Sequence, residues 1–348
     1  MKRWTTIAAT LAAGAAFAAA APKPEMKAVL DKLASMNPKP LPQLTAEEAR
    51  RQPTPADAVK AVLEADGRGA KPEAVAKVQD VQIAGAEGQI PARIYTPEGT
   101  GPMPVVVYYH CGGWVIANLD VYDSSPRALA NLTRAIFVSV EYRQGPEHKF
   151  PAAHEDAFAA YKWVLENAKS FGGDPARVAV AGESAGGGLA AAVSLMARDR
   201  KAQMPLAELL VYPIAGYDFT TPSYKENEKA KPLDKAGMQW FFKQYLNSPK
   251  DGQDPRISLV KADLHGMPPT TIITAQIDPL RSEGQQLAKN LEKAGVKVES
   301  KTYDGVTHEF FGMGAAIAEA KEAEQFGAEG LRKALASSSP KPMGRSAK

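Results

Sequence analysis

Gly182-Glu183-Ser184-Ala185-Gly186 sets a serine between two glycines, at the junction of two unlike stretches. Before it runs Val178-Ala179-Val180-Ala181, short and apolar as a buried strand is. After it runs Leu189-Ala190-Ala191-Ala192-Val193, a strong helix former. A serine on a tight turn between strand and helix projects its hydroxyl into open space, and glycines two residues to either side let neighbouring backbone pass close by. The helix that follows aims N–H groups of partial positive charge at the same point. The chemistry on offer is nucleophilic attack by Ser184. The same residues also read as a small-residue helix start with a capping serine, so the rest of the chain must decide.

A serine nucleophile needs a base, an orienting acid and donors for a developing oxyanion. Of the five histidines, His308 lies in Gly305-Val306-Thr307-His308-Glu309-Phe310, directly after the last strand pattern. His154 at a helix start and His148 in a Pro-rich loop read as structural or solvated, and His265 enters a strand from the wrong end. For the acid, Asp278 ends the apolar run Thr271-Ile272-Ile273-Thr274-Ala275 and precedes Pro279, which also suits a helix N-cap. Asp304, close before His308, is the rival. The order Ser184, Asp278, His308 is that of α/β-hydrolases. For the oxyanion, His110-Cys111-Gly112-Gly113-Trp114 follows the buried-strand run Val105 to Tyr109, and two adjacent glycines let backbone N–H groups turn inward. Ala185, just after the serine, supplies another donor.

These groups need a scaffold, and the periodicity supplies one. A hairpin over Ala76 to Thr96 alternates with period two around Gly85-Ala86-Glu87-Gly88. Strands at Val105 to Tyr109, Ala135 to Val140, Arg177 to Ala181, Leu206 to Val211, Thr270 to Ala275 and Val296 to Tyr303 then alternate with helices. That predicts an α/β fold with a mostly parallel central sheet flanked by helices, residues 76–336. The alternation breaks over about 214–255, where Tyr217, Phe219, Tyr224, Trp240, Phe241, Phe242 and Tyr245 cluster around a helix near Leu233 to Leu246. An insertion at a strand's C-terminal end lands on the ligand face of such a sheet, as a lid or acyl-pocket wall, though its aromatic helix equally reads as plain core. Residues 22–75 hold short helices, with a capping box at Thr45-Ala46-Glu47-Glu48 and Thr54-Pro55 opening another. They read as a helical cap or a linker.

The chain has 348 residues, 45% hydrophobic and 23% charged, as a soluble globular enzyme does. Met1-Lys2-Arg3-Trp4 and the Ala-rich run to Ala21 read as a secretory signal peptide, residues 1–21, implying a periplasmic or secreted protein. The run is too short for a stable membrane anchor. Residues 337–348 carry Lys341, Arg345 and Lys348 and no acid, and read as a disordered basic tail. The net charge of +3 therefore reflects the chain's two ends and does not argue for nucleic acid. The one cysteine, Cys111, excludes an internal disulfide. Neither zinc nor nucleotide motifs occur, so no metal or cofactor is expected.

With these residues in place, a resemblance covers Val105 to Phe311. His110-Cys111-Gly112-Gly113-Trp114, Tyr142-Arg143 with Pro146-Glu147-His148-Lys149-Phe150-Pro151-Ala152, Gly182-Glu183-Ser184-Ala185-Gly186-Gly187 and Asp278-Pro279-Leu280-Arg281 together resemble the hormone-sensitive lipase-like (bacterial family IV) carboxylesterases. The resemblance implies an α/β-hydrolase with an N-terminal helical cap, no cofactor, and hydrolysis of small acyl esters by a monomer or homodimer. It implies a triad of Ser184, Asp278 and His308, with Gly112, Gly113 and Ala185 as oxyanion donors and His110, Cys111 and Glu183 in support. Four positions depart from the family's usual residues: Cys111 stands for glycine, Ser282 for an acid, and Gln144-Gly145 for Leu-Ala. Cys111 itself reads first as a small buried hydrophobe, and inhibition by its oxidation beside the oxyanion loop is the alternative. The same triad on an amide, lactone or peptide bond is the alternative chemistry. A non-catalytic ligand binder on this fold is the alternative class, and His308 argues against it.

Overall fold

The computed structural model describes residues 20–336. The predicted leader, apart from its last two residues, and the basic tail lie outside the described residues.

Three helices come first: α1 (Pro24–Ser35), α2 (Ala46–Ala49) and α3 (Pro55–Ala65). Thr45 and Thr54 each close a capping box, with Glu48 and Asp57 respectively. The hairpin follows as β1 (Lys77–Ala84) and β2 (Gln89–Thr96). Next come β3 (Met103–Tyr109), α4 (Ser124–Thr133), β4 (Ile136–Val140), α5 (Ala152–Asn167), β5 (Gly173–Glu183) and α6 (Ala185–Asp199). The chain continues through β6 (Glu208–Val211), α7 (Pro222–Glu226), α8 (Lys235–Tyr245), β7 (Thr270–Ile277), α9 (Arg281–Lys293), β8 (Val298–Thr307) and α10 (Ala318–Ala336).

The strands form one eight-stranded sheet in the order β1-β2-β4-β3-β5-β6-β7-β8. β2 runs antiparallel to both neighbours, and every other pairing is parallel. From β3 the chain steps to β4 on one side, then returns to β5 on the other. That reversal opens a crevice beyond the C-terminal ends of β3 and β5, the place where open α/β sheets bind ligands. The oxyanion loop follows β3 and the serine follows β5.

The central strands are buried on both faces because α5, α6 and α9 cover one side and α1, α4 and α10 the other. Alternation along β3 shows it: Val105, Val107 and Tyr109 join the first core, Val106 and Tyr108 the second. β5 reaches back to Gly173, further than its apolar run suggests, because Gly173 resumes pairing with Met103 across a bulge.

The N-terminal stretch divides between two places. The Lys23 N–H donates to the Gly305 carbonyl at 2.8 Å, and Met26 is buried near the end of β8. Residues 41–50 instead meet the insertion. Trp240 Nε1–H donates to the Leu44 carbonyl at 3.1 Å. Arg50 forks onto the Glu147 carboxylate and also donates to the Val115 and Gly145 carbonyls. A guanidinium suits this task, since it can serve several acceptors in one plane. These residues bridge the insertion and the loop next to the glycines, so they are docked and do not form a linker.

Candidate active site

Ser184 sits at φ 55°, ψ −114°, a conformation a side chain rarely adopts. Neighbours hold it there: its N–H donates to the Val211 carbonyl at 2.8 Å, and its carbonyl accepts from Gly188 and Ile214. The flanking glycines are required by close approach. A Cβ on Gly186 would lie 1.9 Å from the Tyr109 carbonyl oxygen, and one on Gly182 would lie 2.1 Å from that of Gly186.

His308 follows β8 and Asp278 follows β7, so both arrive at the same sheet edge as Ser184. His308 Nε2 is 2.9 Å from Ser184 Oγ, and Nδ1 is 2.7 Å from Asp278 Oδ2. All three are buried. The other Asp278 oxygen accepts the Leu280 N–H at 2.8 Å, which fixes the carboxylate and delays α9 to Arg281. Asp278 is therefore not a helix N-cap. Asp304, the rival acid, is exposed. Burial pushes the His308 imidazole down, but the adjoining Asp278 carboxylate more than offsets it, and the net shift is upward.

The loop after β3 turns through positive φ at Gly112 (113°), Gly113 (58°) and Trp114 (60°), while Cys111 is not in that region. The cysteine departure therefore costs no backbone strain. Gly112 is closed in, since a Cβ there would meet the Ile116 carbonyl oxygen at 2.0 Å. Trp114 accepts its unusual φ because its ring stacks on Tyr245 of α8 at 4.8 Å. Ala185 opens α6, so its N–H has no acceptor within that helix. Gly112 and Gly113 lie in the loop after β3 and Ala185 at the start of α6, and the two segments touch where Gly186 packs on the Tyr109 and His110 carbonyls. His110 is fully buried, donates from Nδ1–H to the Cys111 carbonyl at 2.6 Å and stacks on Tyr142, whose hydroxyl donates to the His110 carbonyl. It holds the loop from beneath. Gln144 donates to the Ile116 and Ala117 carbonyls, so its departure from the usual residue serves the same loop.

Glu183 is buried and accepts from the Tyr108 and Tyr212 hydroxyls, with burial pushing its carboxyl up to about 7. The Tyr212 ring packs 4.5 Å from that of His308, which ties this network to the base. Cys111 lies beside His308, Ser184 and Glu309, and burial pushes its thiol up. His148 and His265 are exposed, and His154 is buried against Tyr245. None of these three joins the site.

Several contributors had no role assigned from the sequence. Asn227 after α7 donates to the Asp278 carbonyl, and Ser223 and Ser282 exchange hydrogen bonds between N–H and hydroxyl. Ser282 thus links the acid's turn to the insertion. Buried Glu283 accepts the Ala215 N–H at 2.8 Å. Each is a polar residue in an ordinary helix or loop, and only the folded path brings it to its partner.

The sheet order and the strand-end serine define an α/β-hydrolase. A family model described as the alpha/beta hydrolase fold matches residues 106–312. Carboxylesterase NlhH of Mycobacterium tuberculosis is 41% identical over 251 residues, covering 71% of this chain and 79% of the relative. Ethyl acetate hydrolase of Pseudomonas putida is 33% identical over 302 residues, covering 85% and 92%. Among solved structures, an esterase of Pyrobaculum calidifontis superposes with a TM-score of 0.81 at 37% identity, over 90% of this chain and 98% of that one. The chain belongs to the hormone-sensitive lipase-like, family IV carboxylesterases of the α/β-hydrolase superfamily, and is a carboxylic ester hydrolase. Among the described residues, no helix is long and apolar enough to cross a membrane.

Proposed function

We propose that this carboxylesterase cleaves short-chain acyl esters by double displacement through Ser184, His308 and Asp278. His308 Nε2 takes the Ser184 proton as Oγ attacks the ester carbonyl, while Asp278 holds the imidazole's tautomer and stabilises its charge. Gly112, Gly113 and Ala185 N–H groups receive the oxyanion. The tetrahedral intermediate then collapses, and His308 returns the proton to the leaving alkoxide. Water, deprotonated by His308, attacks the acyl-enzyme and releases the acid.

The observation that carries this reading is the unbroken chain of contacts from Asp278 Oδ2 through His308 to Ser184 Oγ, at 2.7 and 2.9 Å. Two features support the short acyl preference. Phe219, Tyr217 and Phe242 pack edge to face and fill the insertion with rings, and one relative is named for ethyl acetate. Residues 1–21 support export to the periplasm or beyond, testable by sequencing the mature N-terminus.

The deciding measurement is hydrolysis of nitrophenyl acetate, butyrate, octanoate and palmitate by the mature protein beside Ser184→Ala. Turnover falling with chain length, and lost by about 10³-fold or more in the variant, is expected. Equal turnover by Ser184→Ala would sink the assignment, and a palmitate optimum would sink the short-chain preference.

A further inference from the structure

Tyr212, the residue directly after β6, is held in an unusual pose. Its φ is 34°, in the region that favours glycine, yet a large buried side chain occupies the position. The backbone on either side of it is pinned to that of the serine. The Val211 carbonyl accepts the Ser184 N–H at 2.8 Å, and the Ile214 N–H donates to the Ser184 carbonyl at 3.0 Å. Tyr212 donates its own N–H to the Ile273 carbonyl of β7 at 2.6 Å.

The side chain is anchored at its far end as well. Its hydroxyl donates to one Glu183 oxygen, and the Tyr108 hydroxyl donates to the other. Glu183 ends β5 and immediately precedes the nucleophile. Between these fixed ends the Tyr212 ring lies with its centroid 4.5 Å from that of His308, tilted by 50°. Among the described residues it is the one aromatic ring packed on the imidazole.

Asp278 and Ser184 grip His308 only through its two nitrogens, in the plane of the ring. Those contacts do little against a swing out of that plane, and the one to Ser184 is given up once Oγ has attacked. Nε2 must then stay in line to protonate the departing alkoxide. A side chain held against the face of the imidazole supplies the restraint that the hydrogen bonds lack. We infer that Tyr212 is a positioning residue for His308, and that the hydrogen bond from its hydroxyl to Glu183 keeps its ring in place. This rests on the serine-esterase reading above.

The test compares Tyr212→Phe with Tyr108→Phe. Each keeps its ring and removes one hydroxyl from the same buried carboxyl, so a loss of stability common to both cancels, while only the ring at 212 packs on His308. In nitrophenyl acetate hydrolysis Tyr212→Phe is expected to lower kcat by about tenfold with KM unchanged, and Tyr108→Phe to stay within about twofold of wild type. The low-field proton resonance of the His308–Asp278 hydrogen bond, read without substrate, is expected to shift or broaden in Tyr212→Phe alone. A merely structural hydroxyl would lower the denaturation midpoint and leave that resonance in place. Equal kcat in Tyr212→Phe and wild type, or equal losses in the two variants, overturns the inference and leaves the esterase reading intact. No cleavage of any ester by wild type overturns both.

Discussion

Phe241 of α8 lies flat against Gly113: a Cβ on that glycine would come within 2.2 Å of the ring's Cδ1. The insertion thus reaches down to the backbone that would receive the oxyanion. With Trp114 stacked on Tyr245 one residue later, α8 serves as a wall that sets the loop's height. Gly113→Ala is expected to lower kcat on nitrophenyl acetate by about 100-fold or more, through a displaced donor. Adding Phe241→Ala should restore only part of this, because the 58° φ stays strained for alanine. Full recovery in the double variant would show that the ring contact alone matters.

Two acids competed in the sequence, and they differ in burial and reach. Asp278→Asn is expected to lower kcat by about 10³- to 10⁴-fold, because the imidazole loses its orienting carboxylate. Asp304→Asn should leave kcat unchanged. The pH profile gives a second readout. His308 must be neutral to act, and its net shift is upward, so activity is lost as pH falls through its raised value. In Asp278→Asn the largest upward influence on His308 is gone while burial remains, which moves the acid limb to lower pH. An acid limb that stays in place would sink the pairing.

Burial and the nearby Glu309 push the Cys111 thiol up, so little thiolate forms and reagents reach it slowly. The burial fits the reading of Cys111 as a small buried hydrophobe and weakens the alternative of inhibition by oxidation. Native protein should resist a thiol-titrating reagent, and denatured protein should release one thiol per chain. Cys111→Ala should keep activity. Rapid native titration with loss of turnover would restore the redox reading.

Glu208, at the start of β6, is buried with Oε1 accepting from Thr270, while Oε2 has no partner within the described structure. Burial pushes its carboxyl from 4.5 up to about 7. Between those values the folded state keeps a proton that the unfolded chain has released. Stability therefore falls as pH rises from about 4.5 to about 7, and is flat beyond. Glu208→Gln should remove that slope, gaining on wild type by about 3 kcal/mol across the interval in denaturant titrations. A constant difference at all pH values would mean the carboxyl is already ionised in the fold.

Reading the sequence alone, the elements that position the site were legible because their signals are local. Apolar runs buried on both faces, glycine pairs at strand ends, the capping box at Thr45 and the Thr54-Pro55 helix start each declare themselves within a few residues. Ser184, Asp278 and His308 were named because each follows a strand pattern, and parallel strands all deliver their C-terminal ends to one edge. What the chain's order could not contain is the meeting of distant side chains. Arg50 with Glu147, Phe241 with Gly113, Asn227 with Asp278 and Tyr212 with Glu183 are all set by how the insertion and the first helices close over the sheet. The positive φ of Glu309, 67°, belongs to the same class, since it arises only when packing is complete. Periodicity and backbone preference fix local form from neighbours in sequence. Contacts across the crevice depend on the summed geometry of every element between, and that only the tertiary structure decides.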